Sequence, residues 1–464
     1  MVLDNGAGFV KAGLAVAEGE EGVGDESLEE DVVGVSSPRV VPNCVVRSRN
    51  GKQRFVGDEL DGCRDVSGLV FRRPHERGYL TGFATQREVW TKALAGVGTG
   101  ISLEACRSMS VLVTEHPLAP PSLAARHAQF LLDPQDPIGF CFRDACVVPP
   151  ALLALRHASA VCDQAENVLA DFGVVLDVGF SFATAVPVVN GKVHLAGVRR
   201  LSVGGKQLTN LLKEAVSYRS VNMMDETYVV DEMKEAACYV SSTGLKAELR
   251  QVLKRKRGRG VAASSLAREY VLPDGVDVLH GYVRGEEEIQ RREEQMRGMS
   301  RKEKAALESN EQTVWLTLEQ VSVPEALFHP QDLGIEQGGV HECIRQAVQA
   351  CPDAARPALY QNVVITGGSS VFAGFVPRLE AELRAVVPDI YGLSVFAFDD
   401  EDAKTAAFYG GQNLFLGLTP EEREACFATR EEYVKYGADY CLAKWRKAFY
   451  DCPELDKYLA AGKT

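Results

Sequence analysis

With 464 residues, 46% hydrophobic and 25% charged, the chain has the length for two or three domains and the make-up of an ordinary soluble globular protein. Its net charge of −13 disfavours the whole surface as a nucleic-acid platform, though a local basic stripe could still bind. Twelve cysteines without a CxxC pair or a histidine cluster beside them read as reduced core thiols of an intracellular protein and argue against a zinc site, Cys141 and Cys146 being the nearest two.

The chain enters a strand-and-turn pattern at its second residue, so no signal peptide is expected. No apolar run approaches the roughly 18 residues of a membrane helix, so no membrane association is expected. Residues 2–16, VLDNGAGFVKAGLAV, predict a β-hairpin: an apolar strand, Asp-x-Gly, a tight turn and a second apolar strand. Residues 17–37 are acidic and glycine-rich and predict a solvated loop. Residues 174–189, VVLDVGFSFATAVPVV, repeat the pattern of 2–16, and a pair of matched hairpins predicts two related domains facing each other. Residues 203–219 place Leu208, Leu211, Leu212, Ala215 and Val216 on one face of a helix. Two charged segments, 242–266 with KRKRGRG at 254–260 and 284–312, flank a compact piece, REYVLPDGVDVLHGYV, and read as insertions. In the second, Glu287 with Arg291 and Glu288 with Arg292 have the spacing that supports an exposed helix. Residues 361–387 predict a buried strand, a glycine turn and a helix with Phe375, Leu379, Leu383 and Val386 on one side. Trp90, Trp315 and Trp445 read as packing anchors, and His75 and His116, beside prolines in apparent loops, suggest no catalytic pair.

Turns lined with small residues point backbone N–H groups outward, where they can hold phosphate oxygens. Gly6 and Gly8, with Ala7 between them, allow close approach of a phosphate, and Lys11 offers a mobile positive charge. Asp4 and Asp177 suit a divalent cation that keeps its waters. The alternative for one hairpin alone is a glycine turn with a structural Asp. Two hairpins together with Gly367 and Gly368 after a strand favour a nucleotide. The KRKRGRG run is open between a nuclear-localisation patch, a phosphate-contacting loop and a solvated insertion.

Taken in order, DNGAGFVKAG, LDVGFSFATAVPV, SVGGKQLTNLLKE, DEMKEAACYV, YVLPDG, VPEALFHPQDLG and VVITGGSSVFAGF resemble successive landmarks of the actin superfamily, from residue 2 to about 445. FRRPHERGYLTGF at 71–83, SYRSVNMMDETYVV at 217–230 and ATREEYVKYGADYC at 428–441 resemble its nuclear, chromatin-remodelling branch. The resemblance implies an α/β actin fold: two ribonuclease-H-like domains with a nucleotide cleft between them. Residues 1–155 and 395–464 would form the first domain (subdomains 1 and 2), and 156–394 the second (subdomains 3 and 4), with insertions near 242–266 and 284–312. It implies ATP or ADP, with Mg or Ca, as a structural cofactor. Asp4, Gly6, Ala7, Gly8, Phe9 and Lys11 would form a first phosphate loop, and Asp177, Gly179, Phe180, Ser181 and Phe182 a second. Gly205 would face the nucleotide, Lys234 and Glu235 would flank the adenine, Gly367, Gly368, Ser369 and Phe372 would complete the adenosine side, and Lys404 would lie near the base. Asp4 and Asp177 would hold the metal through water.

Departures from the family pattern point away from catalysis. Actins carry a glutamine that positions the attacking water; the matching stretch here, CVVPPALLAL, places Pro150 there. An Asp and, four residues later, a His are replaced by Phe180 and Thr184. Phosphoryl transfer to water depends on positioning and electrostatics, so hydrolysis is expected to be weak or absent, with no catalytic residue. Ala7 replaces the usual serine and removes a further phosphate contact. The resemblance implies a nuclear, and in part cytoplasmic, subunit of an SWR/SRCAP-type complex that exchanges the Z variant of histone 2A into nucleosomes. Its implied partners are a small zinc-finger subunit, a Swi2/Snf2-type ATPase and a RuvB-like hexamer, with histones and DNA met through the complex. The rival is a filament-forming, cytoskeletal actin-like ATPase, against which Pro150 and the short RSRNGKQRFVGDEL segment at 47–60 both speak. A sugar kinase or Hsp70-like chaperone would need a sugar-binding signature or a separate substrate domain, and neither is visible.

Overall fold

A computed structural model describes residues 1–15, 37–98, 100–162, 168–255, 267–276, 278–300 and 311–451. The acidic loop expected at 17–37 and most of the KRKRGRG run lie outside the described residues.

Two sheets are built on the same plan. In the first, strand Val2–Asn5 pairs antiparallel with Phe9–Gly13 and parallel with Ser110–Thr114, which pairs parallel with Asp144–Val148. Strands Arg39–Pro42 and Ala428–Thr429 close its two edges. In the second, Gly173–Val178 pairs antiparallel with Ala183–Val189 and parallel with Val363–Thr366, which pairs parallel with Val395–Ala397. The internal repeat is therefore a repeat of topology: each hairpin's first strand is the inner strand of a parallel set. Both first strands are apolar up to their Asp, Val2–Leu3 in one and Val174–Leu176 in the other, because helices cover both faces. Strand Val395–Ala397 begins at the boundary expected at 395 and belongs by its hydrogen bonds to the second sheet. So does Tyr450–Asp451, which pairs with Lys192–His194.

Helices Pro150–Val161 and Asp400–Gly417 lie between the sheets and share one core with both, through Val2, Leu112 and Val148 on one side and Val175, Val186 and Val364 on the other. They approach closely because Gly410 faces the Leu153 carbonyl, where a Cβ would stand 1.9 Å from the oxygen. The outer face of the first sheet packs on helices Phe83–Leu94, Pro121–Leu132 and Ala438–Phe449. That of the second packs on Gly205–Arg219, Val340–Gln349 and Phe375–Val386. The expected stripes hold: Leu208, Leu212 and Val216 are buried, as are Phe375, Leu379 and Leu383, while Leu211, Ala215 and Val386 lie at the stripe edges.

Three smaller sheets complete the molecule. Val45–Arg47, Arg54–Val56 and Val70–Arg72 form one, so the short segment at 47–60 is a tight hairpin followed by a 3₁₀ turn. His75–Glu76 and Tyr79–Leu80 form a second. Arg268–Val271, Tyr282–Val283 and Thr313–Leu316 form the third, which carries helix Glu286–Arg297. Here the predicted pairing is corrected. Glu287 and Arg291 stand 3.9 Å apart, but Glu288 binds the buried Arg284 at 2.8 Å and Arg292 binds Glu311 instead. The Arg284 guanidinium, 2% exposed, also holds Glu269 at 3.0 Å and Glu311 at 2.7 Å, so Glu288 completes the set of carboxylates around a buried charge. Of the three tryptophans, Trp90 and Trp445 are buried anchors, with Nε1 donating to Asn5 Oδ1 and the Ala145 carbonyl. Trp315 is only half-buried, since its strand exposes that face. No helix among the described residues is long and apolar enough to cross a membrane.

Candidate functional site

The two hairpin turns face one cleft of about 890 Å³, and all nineteen residues singled out above line it. The first turn, residues 6–8, is pinned from outside. Asn43 donates through Nδ2 to the Gly6 carbonyl at 2.8 Å and through its backbone N–H to the Gly8 carbonyl at 2.8 Å. With both carbonyls occupied, the turn is fixed in place, and its small residues line the cleft. The second turn is held from two sides. The N–H groups of Gly205 and Lys206, opening helix Gly205–Arg219, donate to the carbonyls of Gly179 and Phe180 at 3.1 and 2.8 Å. The Ser369 N–H donates to the Val178 carbonyl at 2.9 Å and Ser369 Oγ to the Gly179 carbonyl at 3.3 Å. Gly367, at φ +97°, makes this junction: a Cβ there would stand 2.6 Å from Asp177 Oδ1.

Charge in the cleft is arranged unevenly. Lys11 Nζ donates to Asp4 Oδ2 at 2.8 Å, and Thr114 Oγ1 donates to Asp4 Oδ1 at 2.8 Å, so Asp4 is fully engaged. Asp177 has no hydrogen-bond donor among the described residues. Burial and the neighbouring Asp4 carboxylate push its pKa up to about 7, against the pull of Lys11. Lys234 is buried, and its ammonium donates to Asp231 Oδ1 at 2.5 Å and Thr209 Oγ1 at 3.0 Å, so its charge is already matched inside the wall. Glu235 and Lys404 stand at the exposed rim, Phe372 is a buried wall residue, and Phe9 is 45% exposed at the lip.

The cleft also gathers residues that sequence reasoning passed over. Arg73, His75, Glu115, His116 and His127 line it. Both histidines enter the cleft: sheet pairing places His75 on a short strand where a loop was expected, while His116 stands in the expected loop, after the strand Ser110–Thr114. Burial pushes their pKa values down to about 3 and about 4, so both imidazoles are neutral at pH 7. His116 packs edge-on to Phe182, with centroids 4.7 Å apart, and His127 Nδ1 meets Glu115 Oε1 at 2.9 Å. A Thr-Glu-His run ending an apolar strand was the available signal. Two arginines stack on the second turn: Arg73 over Phe180 at 4.2 Å and Arg200 over Phe182 at 4.0 Å. Pro150 lines the cleft as the first residue of its helix, a position that suits proline. Thr184 is buried in its strand and is not among the residues lining the cleft.

Two small-residue turns, a lysine and two carboxylates, one of them without a partner, fit a phosphate chain with a hydrated cation. Matched against families of known proteins, residues 1–446 fit the Actin family, and the chain belongs to it. Actin-family chains in general bind nucleotide, and this one is an actin-related protein with the family's α/β fold. Within the family it is similar to proteins named Actin-related protein 6. That of Drosophila melanogaster is 34% identical over 440 residues, 94% of this chain and 97% of the relative. That of Oryza sativa subsp. indica is 35% identical over 461 residues, 96% and 98%. That of Arabidopsis thaliana is 34% identical over 462 residues, 96% and 99%.

Proposed function

We propose that the chain is a non-catalytic, nuclear actin-related subunit of an SWR/SRCAP-type remodelling complex that places the Z variant of histone 2A in nucleosomes, and that it holds ATP or ADP as a structural ligand. The observation that carries the nucleotide reading is the convergence of both hairpin turns and the Gly367–Ser369 turn on one cleft. Residues 6–8 and 179–182 would hold the phosphates, and the side chains of Asp177 and Asp4 would receive a Mg or Ca ion through its waters. A cation there would offset the burial and the Asp4 repulsion that raise the Asp177 pKa. When bound, the nucleotide supplies phosphate charge that ties the two halves together. What this chain's residues do is bind and orient it, while the side chains of Pro150 and Phe180 offer attacking water neither donor nor acceptor.

The complex membership draws on the full-length similarity to proteins named Actin-related protein 6. The proposed partners are a small zinc-finger subunit, a Swi2/Snf2-type motor and a RuvB-like hexamer, with the charged segments at 242–266 and 284–312 as contact surfaces. Affinity purification of tagged protein with mass spectrometry tests this: recovery of those partners is expected, and recovery of filament proteins instead would overturn it. Deleting either charged segment is expected to weaken assembly.

One observation favours slow hydrolysis as a second reading: the neutral His116 lines the cleft and could order water in place of the missing glutamine. Phosphate release at background from purified protein with ATP is the expected result. Turnover above background that His116→Ala abolishes would establish the second reading.

A further inference from the structure

We propose that Arg73 is a binding residue for the phosphate chain of the nucleotide, a role that rests on the nucleotide reading above and adds a ligand outside both hairpin turns. Arg73 directly follows the strand Val70–Arg72 and lines the cleft. Its guanidinium lies 4.2 Å from the ring centroid of Phe180 in the second turn, and its Nη1 reaches the Gly8 carbonyl of the first turn at 3.4 Å. It therefore sits where the two turns meet.

The cations around it differ in one respect. Lys11 has Asp4 at 2.8 Å and Lys234 has Asp231 at 2.5 Å. Arg73 has no carboxylate within salt-bridge distance among the described residues. Asp231 acts on it only from a distance, with its own Oδ1 bound to Lys234 and Thr209. One long bond to Gly8 leaves most of the five guanidinium donors free. Burial without a counter-ion is unfavourable, and it lowers the Arg73 pKa. An anion between the turns removes that penalty, and a planar fork meets phosphate oxygens two at a time.

Phe180 completes the argument. An acid at this position would lie under the guanidinium and neutralise it. A phenyl ring instead orients the guanidinium by stacking and takes up none of its donors. The substitution that removes a group from the catalytic pattern thus frees a cation for binding, and Arg73 supplies a side-chain phosphate contact where the Ala7 methyl has none to give.

The test uses the full chain, with Arg73→Met and Arg73→Lys, and titrates ATP, ADP and adenosine against a fluorescent etheno-ADP probe. Charge-assisted hydrogen bonds predict that Arg73→Met weakens ATP and ADP about 10- to 100-fold and leaves adenosine unchanged. Arg73→Lys, which keeps the charge and loses the fork, is expected to fall between. Equal weakening of all three ligands, or of none, overturns the assignment and makes Arg73 a stacking prop. If the Met variant fails to fold by circular dichroism, the Lys variant decides, since its loss must still be confined to ATP and ADP. A parent protein that binds none of the three overturns the nucleotide reading and this inference together, whereas a binding parent whose variants weaken all three ligands equally, or none, overturns only the role of Arg73.

Discussion

Lys11 and Asp4 form an ion pair across the first hairpin, with side chains 11% and 8% exposed. Removing one partner of such a pair leaves an uncompensated charge in a poorly solvated place, at about 3–5 kcal/mol. Lys11→Met is therefore expected to lower the unfolding free energy by about 3 kcal/mol in denaturant titration, and adding Asp4→Asn to restore much of it. A loss below about 1 kcal/mol would show the pair to behave as a surface pair. His157 gives a pH signature. Its ring stacks on Phe398 and Tyr409 at 5.5 and 5.3 Å, its Nδ1 has no partner among the described residues, and burial lowers its pKa below the usual 6.5. The unfolded chain takes up a proton near pH 6.5 and the folded chain only at lower pH, so stability present at pH 7 is lost as pH falls below that value. His341 shifts in the same direction. Melting temperature should fall between pH 7 and 5, and His157→Phe should flatten part of that fall. Parallel curves for parent and variant would exclude the ring as a contributor.

At the scale of elements, the charged segment after residue 284 is less detached from the core than its composition suggests. Periodicity and Glu–Arg spacing identified the helix Glu286–Arg297. They could not identify Arg284, whose side chain is 2% exposed and which binds Glu269, Glu288 and Glu311 from three different stretches of chain. Arg284→Met should leave Glu269 without its cation and speed amide exchange in the sheet of Arg268–Val271, Tyr282–Val283 and Thr313–Leu316. Exchange in the two hairpins should stay as in the parent, because openings of this kind are local. Uniform acceleration across the chain would show the network to support the whole fold.

For the whole molecule, the packing of helices Pro150–Val161 and Asp400–Gly417 sets how the halves meet at the cleft. A side chain at Gly410 would collide with the Leu153 backbone, so Gly410→Val should force the helices apart, at roughly 1–3 kcal/mol or more. It should also weaken nucleotide binding although residue 410 is not among those lining the cleft, which titration of the folded variant would check. Saturating nucleotide at about 100 times its dissociation constant should stabilise the parent by about 2.7 kcal/mol. A smaller melting shift in Gly410→Val than in the parent would report a misaligned cleft.

The amino-acid sequence by itself determined the two hairpins and the glycine turn after the strand Val363–Thr366, because each is written in neighbouring residues and short periodicities. Only the tertiary structure decided that Lys234 is matched inside the wall, that Glu288 belongs to Arg284, and that Arg73, His75 and His116 enter the cleft. Those contacts join residues from tens to over a hundred positions apart, or choose among local pairings by burial, and both depend on how sheets and helices pack rather than on spacing along the chain.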